Sequence, residues 1–380
     1  MQKNNQGSKV ILPPGTIGII GGGQLGRMMA VAAKQMGYQI VVLDPTPNCP
    51  TAQLADQQIT AAYDDMDAIK QLAECSDVVT YEFENVDLEA AAYMEQQGKL
   101  PQGAFALEVT QNREREKKIM READLPIPNF SIVTNGRACE DALKHISFPS
   151  VIKTCSGGYD GKGQIKIRAE EDAKEAIHFA EQNEHCIIEE WVSFDKEISV
   201  IFTRSQSGEI TFFPIAENDH KEHILYQTTV PASVSEIVKE KAIHAAGVLA
   251  NQMNIVGTFA IEMFVKDETV YLNEMAPRPH NSGHYSIEAC NISQFTQHIR
   301  AICGLPLMSV KLLQPASMIN ILGEDLQAVL QAMRKSPEGF IHLYGKDEAK
   351  EKRKMGHVTF IAETTKKLQQ VISNFEEMVQ

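Results

Sequence analysis

The chain has 380 residues, 43% of them hydrophobic, and a formal net charge of −14 at pH 7. That length carries two or three domains with cores of their own, and the acidic balance excludes a general nucleic-acid-binding surface while leaving room for a small basic pocket. The seven cysteines (Cys49, Cys75, Cys139, Cys155, Cys186, Cys290 and Cys303) are odd in number and form no CxxC pair; with no secretory signal and no apolar run long enough to span a bilayer, reduced thiols in the cytoplasm are expected.

Residues 1–15 are expected to be a loose tail. TIGII (16–20), the turn GGGQLG, RMMAVAAKQM and YQIVVLD (38–44) predict strand, turn, helix and strand, and DVVTYEFEN (77–85) predicts a further strand ending in polar residues. This is an open α/β unit with its working edge at the carboxyl ends of the strands. REREKKIMREA (113–123) predicts a charged helix, and the prolines at 126 and 128 mark a boundary. SVIKT (150–154), a glycine loop, QIKIR (164–168), a helix over about 170–182 and CIIEEWV (186–192) make a second α/β section. EISVIFTR and EITFFPIAEN predict a long antiparallel pair turning at Ser207 and Gly208. A helix near 235–253 leads into a hairpin of GTFAIEMFV (257–265), a turn at 266–268 and TVYLNE (269–274). From about 304 onward strand and helix patterns mix, with HLYGK and RKMGH near the end. There is no internal repeat.

The hairpin carries Glu262 and Glu274. Closed at that turn, it sets them roughly opposite each other on one side. Two carboxylates that close repel strongly without a cation between them, and oxygen ligands favour Mg²⁺ completed by water and substrate phosphates. Directly downstream, NEMAPRPHNSGH (273–284) supplies Arg278, His280, Asn281 and His284, a cluster suited to a small anion. The plainer reading is a solvated hairpin with a polar loop.

Gly21, Gly23 and Gly26 satisfy GxGxxG, and Asp44 ends the next strand, the sequence shape of a dinucleotide-binding turn. Tight strand-to-helix turns need glycine whatever the ligand, so the motif alone is weak, and the helix N-terminus also suits a phosphate or substrate. VIKTCSGGYDGKGQ (151–164) lies between two strands and is no P-loop. Its Gly157, Gly158, Gly161 and Gly163 let N–H groups approach phosphate oxygens, and Lys153 and Lys162 add charge, so the loop reads as a flap over a nucleotide triphosphate or as a mobile hairpin tip. The backbone of Glu189 to Val192 offers an edge for adenine, with Glu197 placed for ribose hydroxyls. Each glutamate alone reads as a solvated surface residue, and His220 is ambiguous in the same way.

In this order of loop, lysine, adenine edge, carboxylate hairpin and anion cluster, the chain resembles the ATP-grasp superfamily, whose members activate a carboxylate or bicarbonate as an acyl phosphate and pass it to an amine. Within it, GGGQLGRM, YEFEN, GGYDGKGQ, EEWV, NEMAPRPHNSGH and RKMGH resemble the ATP-dependent carboxylases of aminoimidazole ribonucleotide in purine biosynthesis, over about residues 16–363. The resemblance implies an α/β fold, α+β in part. Its three domains would be a Rossmann-like parallel sheet at 16–112, an ATP-grasp domain at 113–303 with a flap subdomain at about 125–192, and a small mixed C-terminal domain at 304–380.

The resemblance also implies ATP contacts at Arg113, Lys153, Ser156, Gly157, Gly158, Tyr159, Asp160, Gly161, Lys162, Glu189, Glu190, Trp191, Val192, Glu197, His220, Asn273 and Glu274. Glu262 and Glu274 would hold Mg²⁺, with Mn²⁺ as a substitute. Bicarbonate and the carboxyphosphate it becomes would lie near Arg278, His280 and Asn281. Aminoimidazole ribonucleotide would touch Gln24, Leu25, Glu82, Tyr159, Asp160, Arg278 and Asn281, with its 5′-phosphate on Lys346 and Arg353. Catalytic roles would fall to Lys153, Tyr159, Asp160, Arg278 and His280, with Asp160 and His280 both candidates for the amine proton. The implied state is a cytoplasmic C₂ homodimer without nucleic-acid or membrane partners.

Two positions depart from the pattern. Cys155 stands where a bulkier, often basic residue is expected, and Ala276 where many ATP-grasp enzymes place an asparagine. Other readings are a formate-dependent glycinamide ribonucleotide transformylase, which shares the first domain and a related PRPH segment, and a biotin carboxylase, for which the chain is short. An NAD(P)-binding oxidoreductase built on GGGQLG and a non-catalytic nucleotide-binding module complete the set.

Overall fold

Short, almost wholly apolar runs need a sheet covered on both faces, and TIGII, QIVVL and VVTY are the first of that kind. The computed structural model describes residues 10–157, 163–335 and 338–379. The runs and one short addition form β1 (Thr16–Ile20), β2 (Gln39–Leu43), β3 (Gln57–Ile59) and β4 (Val78–Tyr81), a parallel sheet in the order β3-β2-β1-β4. Helix α1 (Gln24–Gln35) packs on one face through Met28 and Met29. Helices α2 (Met66–Cys75) and α3 (Leu88–Gln96) cover the other through Ile69, Leu72 and Met94. Because β1 lies between β2 and β4, the loops after β1 and β4 face each other across the crevice where open α/β sheets bind ligands.

Residues 10–15, expected to be loose, are docked. Ile11 N–H donates to the Cys303 carbonyl at 2.9 Å, the Ile11 carbonyl accepts from Tyr38 Oη at 2.7 Å, and the Ile11 side chain is buried. The rest of that segment, residues 1–9, lies outside the described residues. The β4 strand stops at Tyr81 rather than 85, because Glu82 leaves the sheet to meet backbone N–H groups of the glycine turn.

Helices α4 (Phe105–Thr110) and α5 (Arg113–Glu122) lead into a four-stranded antiparallel sheet of β5 (Phe130–Val133), β6 (Ser150–Thr154), β7 (Gln164–Ile167) and β8 (Cys186–Glu190), ordered β5-β8-β6-β7. Helices α6 (Gly136–Leu143) and α7 (Ala173–Gln182) pack against it around Ile152, Ile167 and Ile188. The loop joining β6 to β7 includes Gly158–Lys162, which lie outside the described residues.

The largest sheet begins with β9 (Lys196–Arg204), β10 (Ile210–Phe212), β11 (Ala216–Lys221) and β12 (Ile224–Val230). Helix α8 (Glu236–Gln252), β13 (Gly257–Lys266), β14 (Thr269–Ala276), α9 (Ser286–Ala289) and α10 (Gln294–Ile302) follow. The chain ends with β15 (Ala316–Leu322), α11 (Leu326–Met333), β16 (Phe340–Leu343), β17 (Lys354–Ile361) and α12 (Thr365–Val379). The strands order β14-β13-β9-β11-β12-β15-β17-β16, with β10 also on β9. The expected long pair is real but shifted by one residue at Pro214, whose missing N–H breaks the ladder between β10 and β11. The C-terminal strands join the sheet through β12 and β15, so this last unit continues the central one.

The β13–β14 hairpin turns on two residues, Asp267 and Glu268, since Lys266 already pairs with Thr269. Carried back unbroken, that register would set Glu262 opposite Asn273. A bulge leaves Asn273 unpaired and puts Glu274 opposite Glu262. Among the described residues no helix is long and apolar enough to cross a membrane, and all seven cysteines are free thiols.

Candidate active site

A cleft of about 900 Å³ opens between the crevice of the parallel sheet, the β6–β8 wall and the β13–β14 hairpin. Gln24, Leu25, Glu82, Arg113, Lys153, Ser156, Gly157, Glu189, Glu190, Trp191, Val192, Glu197, His220, Glu262, Asn273, Glu274, Arg278, His280 and Asn281 all line it. Gly158, Tyr159, Asp160, Gly161 and Lys162 lie outside the described residues. Lys346 and Arg353 are not in its lining, although their neighbour Lys354 is. Both belong to the β16–β17 connection, where Lys346 Nζ donates to the Lys354 carbonyl at 2.8 Å and Arg353 to the Glu348 carbonyl at 2.9 Å. Burial, then the charges of Arg353 and Lys354, push the Lys346 ammonium down to about 8.

The glycine turn does not offer an open helix N-terminus. Glu82, at the end of β4, accepts from Gly23 N–H and, at 2.8 Å, from Gly26 N–H. A Cβ at Gly23 would collide with that carboxylate, so the glycine there serves the chain's own side chain. Asp44 accepts from Gly22 N–H at 2.7 Å and from Tyr63 Oη at 2.6 Å. The Gly23 and Gly26 N–H groups that a pyrophosphate would take in a dinucleotide turn are filled, which corrects the dinucleotide reading, while Gln24 and Leu25 of the same turn still line the cleft.

On the β6–β8 wall, Lys153 Nζ lies 2.6 Å and Lys117 Nζ 2.9 Å from the two oxygens of buried Glu189. Burial alone would raise the Glu189 carboxyl; the two ammonium groups outweigh it and hold it well below the usual carboxylate range. Lys117 also donates to the Asn273 carbonyl at 2.8 Å, which ties the wall to the hairpin bulge. The β8 strand ends at Glu190, short of the expected Val192. Glu190 N–H donates to the Asn129 carbonyl and Trp191 N–H to that of Pro149. Neither bond uses the Glu190 carbonyl or the Val192 N–H, so both groups stay available to the expected adenine edge. Phe194 and Phe264 stack at 4.6 Å and line the same end of the cleft.

On the hairpin wall the charges do not cancel. Burial, then Glu274 and Glu197, push the Glu262 carboxyl well above its usual range. Burial, then Glu274 and Asp219, push Glu197 up to about 8. Arg113 Nη1 stands 3.4 Å from Glu274 Oε2, and His220 Nδ1 3.4 Å from Glu197 Oε2. No group of three or more His, Cys, Asp or Glu among the described residues is arranged to hold a metal. Glu262 and Glu274 are the pair placed to share a cation with a ligand that brings its own oxygens.

Arg278, His280 and Asn281 follow β14 directly. Arg278 Nε pairs with Glu84 Oε2 at 2.5 Å, and His280 Nε2 stands 3.4 Å from Glu262 Oε1. Burial, then Arg278 and Lys354, hold the His280 imidazole well below its usual range. Among the described residues neither amide atom of Asn281 has a hydrogen-bond partner, although both are buried. A buried amide without partners in a cleft wall fits a residue that awaits a ligand.

Glu84, Glu116, Lys117, Phe194, Phe264 and Lys354 line or brace this cleft and were not singled out by sequence. Two of them carried a signal, Glu84 as the second glutamate of YEFEN and Lys354 as the lysine of RKMGH. Glu116 is buried, accepts from Met275 N–H at 2.6 Å and is pushed up to about 7 by burial, yet in REREKK it reads as a solvated charge.

Comparison with known proteins converges on this site. Residues 118–295 match the model of the ATP-grasp domain, 15–111 that of the ribonucleotide synthetase preATP-grasp domain, and 316–371 that of the phosphoribosylaminoimidazole carboxylase C-terminal domain. The chain is 48% identical over 367 residues to the N5-carboxyaminoimidazole ribonucleotide synthase of Bacillus subtilis, covering 96% of each. It superposes with a TM-score of 0.94 and 52% identity on an N5-carboxyaminoimidazole ribonucleotide synthetase solved as its ADP complex, covering 97% of this chain and 98% of that one. It superposes with a TM-score of 0.89 and 31% identity on the Aspergillus clavatus N5-carboxyaminoimidazole synthase in complex with ADP and 5-aminoimidazole ribonucleotide, covering 96% and 98%.

Proposed function

The chain belongs to the N5-carboxyaminoimidazole ribonucleotide synthase family of ATP-grasp ligases, and from that membership we propose how its residues divide the work. The enzyme carries out the ATP-dependent carboxylation of 5-aminoimidazole ribonucleotide in purine biosynthesis. Bicarbonate is a poor electrophile, and its attack on the γ-phosphate of ATP turns it into carboxyphosphate, a mixed anhydride. The ribonucleotide amine then attacks the carboxyl carbon. A C–N bond forms, the C–O bond to phosphate breaks with its electron pair, and the amine gives one proton to a base. The products are N5-carboxyaminoimidazole ribonucleotide, ADP and phosphate.

Phosphoryl transfer needs positioning and charge neutralisation more than covalent help. In our reading Glu262 and Glu274 hold Mg²⁺, for which Mn²⁺ can substitute. Their mutual repulsion fits a shared cation, which when bound would neutralise phosphate charge. Lys153 faces the phosphates, and Arg113, Asn273, Glu197 and His220 complete the nucleotide's surroundings. The Arg278 fork suits a planar bicarbonate, and the Asn281 amide adds donors beside it. Gln24, Leu25 and Glu82 contact the ribonucleotide from the first domain, Lys346 and Arg353 take its 5′-phosphate, and Tyr159 and Asp160 keep their expected roles on the loop that excludes water. The enzyme acts as a cytoplasmic homodimer.

One observation carries the assignment of roles: the bulge at Asn273 pairs Glu262 with Glu274 beside Arg278, His280 and Asn281. The decisive assay is ADP release with MgATP and bicarbonate, with and without aminoimidazole ribonucleotide. Strong stimulation with an acid-labile carbamate product is the expected result. Stimulation by formate and glycinamide ribonucleotide instead would transfer the cleft to the transformylase reaction.

A further inference from the structure

Behind His280 runs a chain of buried polar side chains that the reaction as described does not use. Ser199, Ser282 and Thr228 are fully buried and Asn218 is 5% exposed. Thr228 Oγ1 donates to Asn218 Oδ1 at 3.0 Å, Asn218 Nδ2 donates to Ser199 Oγ at 3.1 Å, and Ser199 Oγ donates to Ser282 Oγ at 2.7 Å. Ser282 Oγ lies 2.8 Å from His280 Nδ1.

Direction matters in such a chain, because each hydroxyl has one proton to give. Ser199 Oγ accepts from Asn218 Nδ2 and gives its proton to Ser282 Oγ, which leaves the Ser282 proton free to go to His280 Nδ1. A second contact fixes the same direction independently. The backbone N–H of Ser282 also points at Nδ1, at 3.4 Å, and an N–H has nothing to accept with. Nδ1 is therefore an acceptor, and the ring proton sits on Nε2. That nitrogen is on the cleft side, facing Glu262 Oε1. The histidine backbone is held as well. The buried Gln294 carboxamide accepts from His280 N–H at 2.9 Å and donates to the His280 carbonyl at 2.7 Å.

We propose that the chain Thr228–Asn218–Ser199–Ser282 locks His280 as the neutral Nε2–H tautomer, so that His280 donates a hydrogen bond to the anion in the cleft and is not the base that takes the amine proton. Ser199, Ser282 and Asn218 are positioning residues, each acting through the next. A donor aimed at the place where charge develops acts without reorganising during the reaction, which is the advantage of fixing the tautomer in advance. The inference rests on the reading of this wall as the bicarbonate and carboxyphosphate site.

The test uses the full chain labelled with ¹⁵N-histidine. Two-bond ¹H–¹⁵N correlations distinguish the tautomers, and the His280 signal is the one missing from His280→Gln. The wild type should show the Nε2–H pattern. Ser199→Ala, which removes one hydroxyl from inside the sheet, should give mixed tautomers and a kcat lower by about 10-fold, with KM for MgATP unchanged. His280→Gln keeps an N–H near the position of Nε2. It should retain at least about 10-fold more activity than His280→Ala, which loses a donor worth about 100-fold or more.

An Nδ1–H pattern in the wild type would overturn the proposal. So would glutamine being no better than alanine, since a base cannot be replaced by an amide. Full turnover by His280→Ala would remove the reading of the site and the donor role together. An Nδ1–H signal in an enzyme that His280→Ala cripples would leave that reading standing and remove only the tautomer.

Discussion

Two walls of one cleft treat buried carboxylates in opposite ways. On the β6–β8 wall Glu189 is matched by Lys117 and Lys153, and its carboxyl is held low. On the hairpin wall Glu262 faces Glu274 and Glu197, and its carboxyl is driven high. On the first wall two ammonium groups outweigh burial; on the second, burial and like charge prevail although Arg113 stands beside Glu274 and Lys354 acts on Glu262. Such crowding of carboxylates fits the cation site proposed for Glu262 and Glu274, and the balanced wall would position Lys153.

The sharpest way to break that contrast is Glu262→Gln. Activity should fall by about 1,000-fold, near 4 kcal/mol in the barrier, because half of the cation site is gone. The ligand-free protein should melt higher, by about 2 °C, because a buried repulsion is gone. Opposite signs in the two measurements are the point; a variant that loses both activity and stability would make Glu262 an ordinary structural residue.

Arg278→Ala comes next. We expect ribonucleotide-dependent ADP formation to drop by about 100-fold or more with the fold intact by circular dichroism. Normal turnover would remove the anion site from this wall. On the balanced wall, Lys153→Met should do the reverse of Glu262→Gln to stability, lowering it by roughly 1–3 kcal/mol, because Glu189 stays buried with one partner lost. A denaturant melt that moved upward would show that the two walls do not differ in kind.

Lys346→Ala tests a site outside both walls and should raise KM for the ribonucleotide by about 10-fold while sparing kcat. The Lys346 ammonium titrates near 8, so in the wild type that KM should climb as pH passes 8 and the charge facing the 5′-phosphate is lost. The variant should lack the climb; an identical pH profile in both proteins would place the phosphate elsewhere.

These contrasts were only partly legible in the sequence. The parallel sheet was, because TIGII, QIVVL and VVTY each carry a single Thr or Gln among apolar residues and read as strands covered on both faces. The glycine turn was legible as a shape, but its occupant was not. Glu82 lies 59 residues from Gly23 in sequence and meets it only because β4 pairs with β1. The acidic pair was expected roughly opposite, yet its register depends on the Asn273 bulge, and no residue in TVYLNE announces a bulge. Lys117 was hidden more thoroughly. In REREKK it looks like one charge among many on a wet helix face, and it is 1% exposed and paired with Glu189, which arrives on β8. Local pattern reports which residues are apolar; it does not report which charges the topology will bring together.

The smallest effect is also the one that separates the walls most cleanly, because it needs no chemistry. Glu197 has an ordinary value of 4.5 and stands near 8 in the folded chain. Between those values the folded protein holds a proton that the unfolded chain has released. Its contribution to stability is therefore fully present below 4.5 and is lost as pH rises through 8. Between pH 5 and 8 Glu197 therefore tilts the melting profile of the ligand-free enzyme downward, and Glu197→Gln should remove that tilt, about 2 °C over the range. Saturating MgATP should flatten it as well, since a cation on the hairpin wall removes the reason for holding the proton. Glu189 works in the other direction. Its folded value is depressed, so its contribution is present above the ordinary carboxylate value and is lost only as pH falls through the depressed one. A Glu197→Gln profile parallel to that of the wild type between pH 5 and 8 without ligand would mean that the hairpin carboxylates are already compensated, and the asymmetry between the two walls would have to be given up.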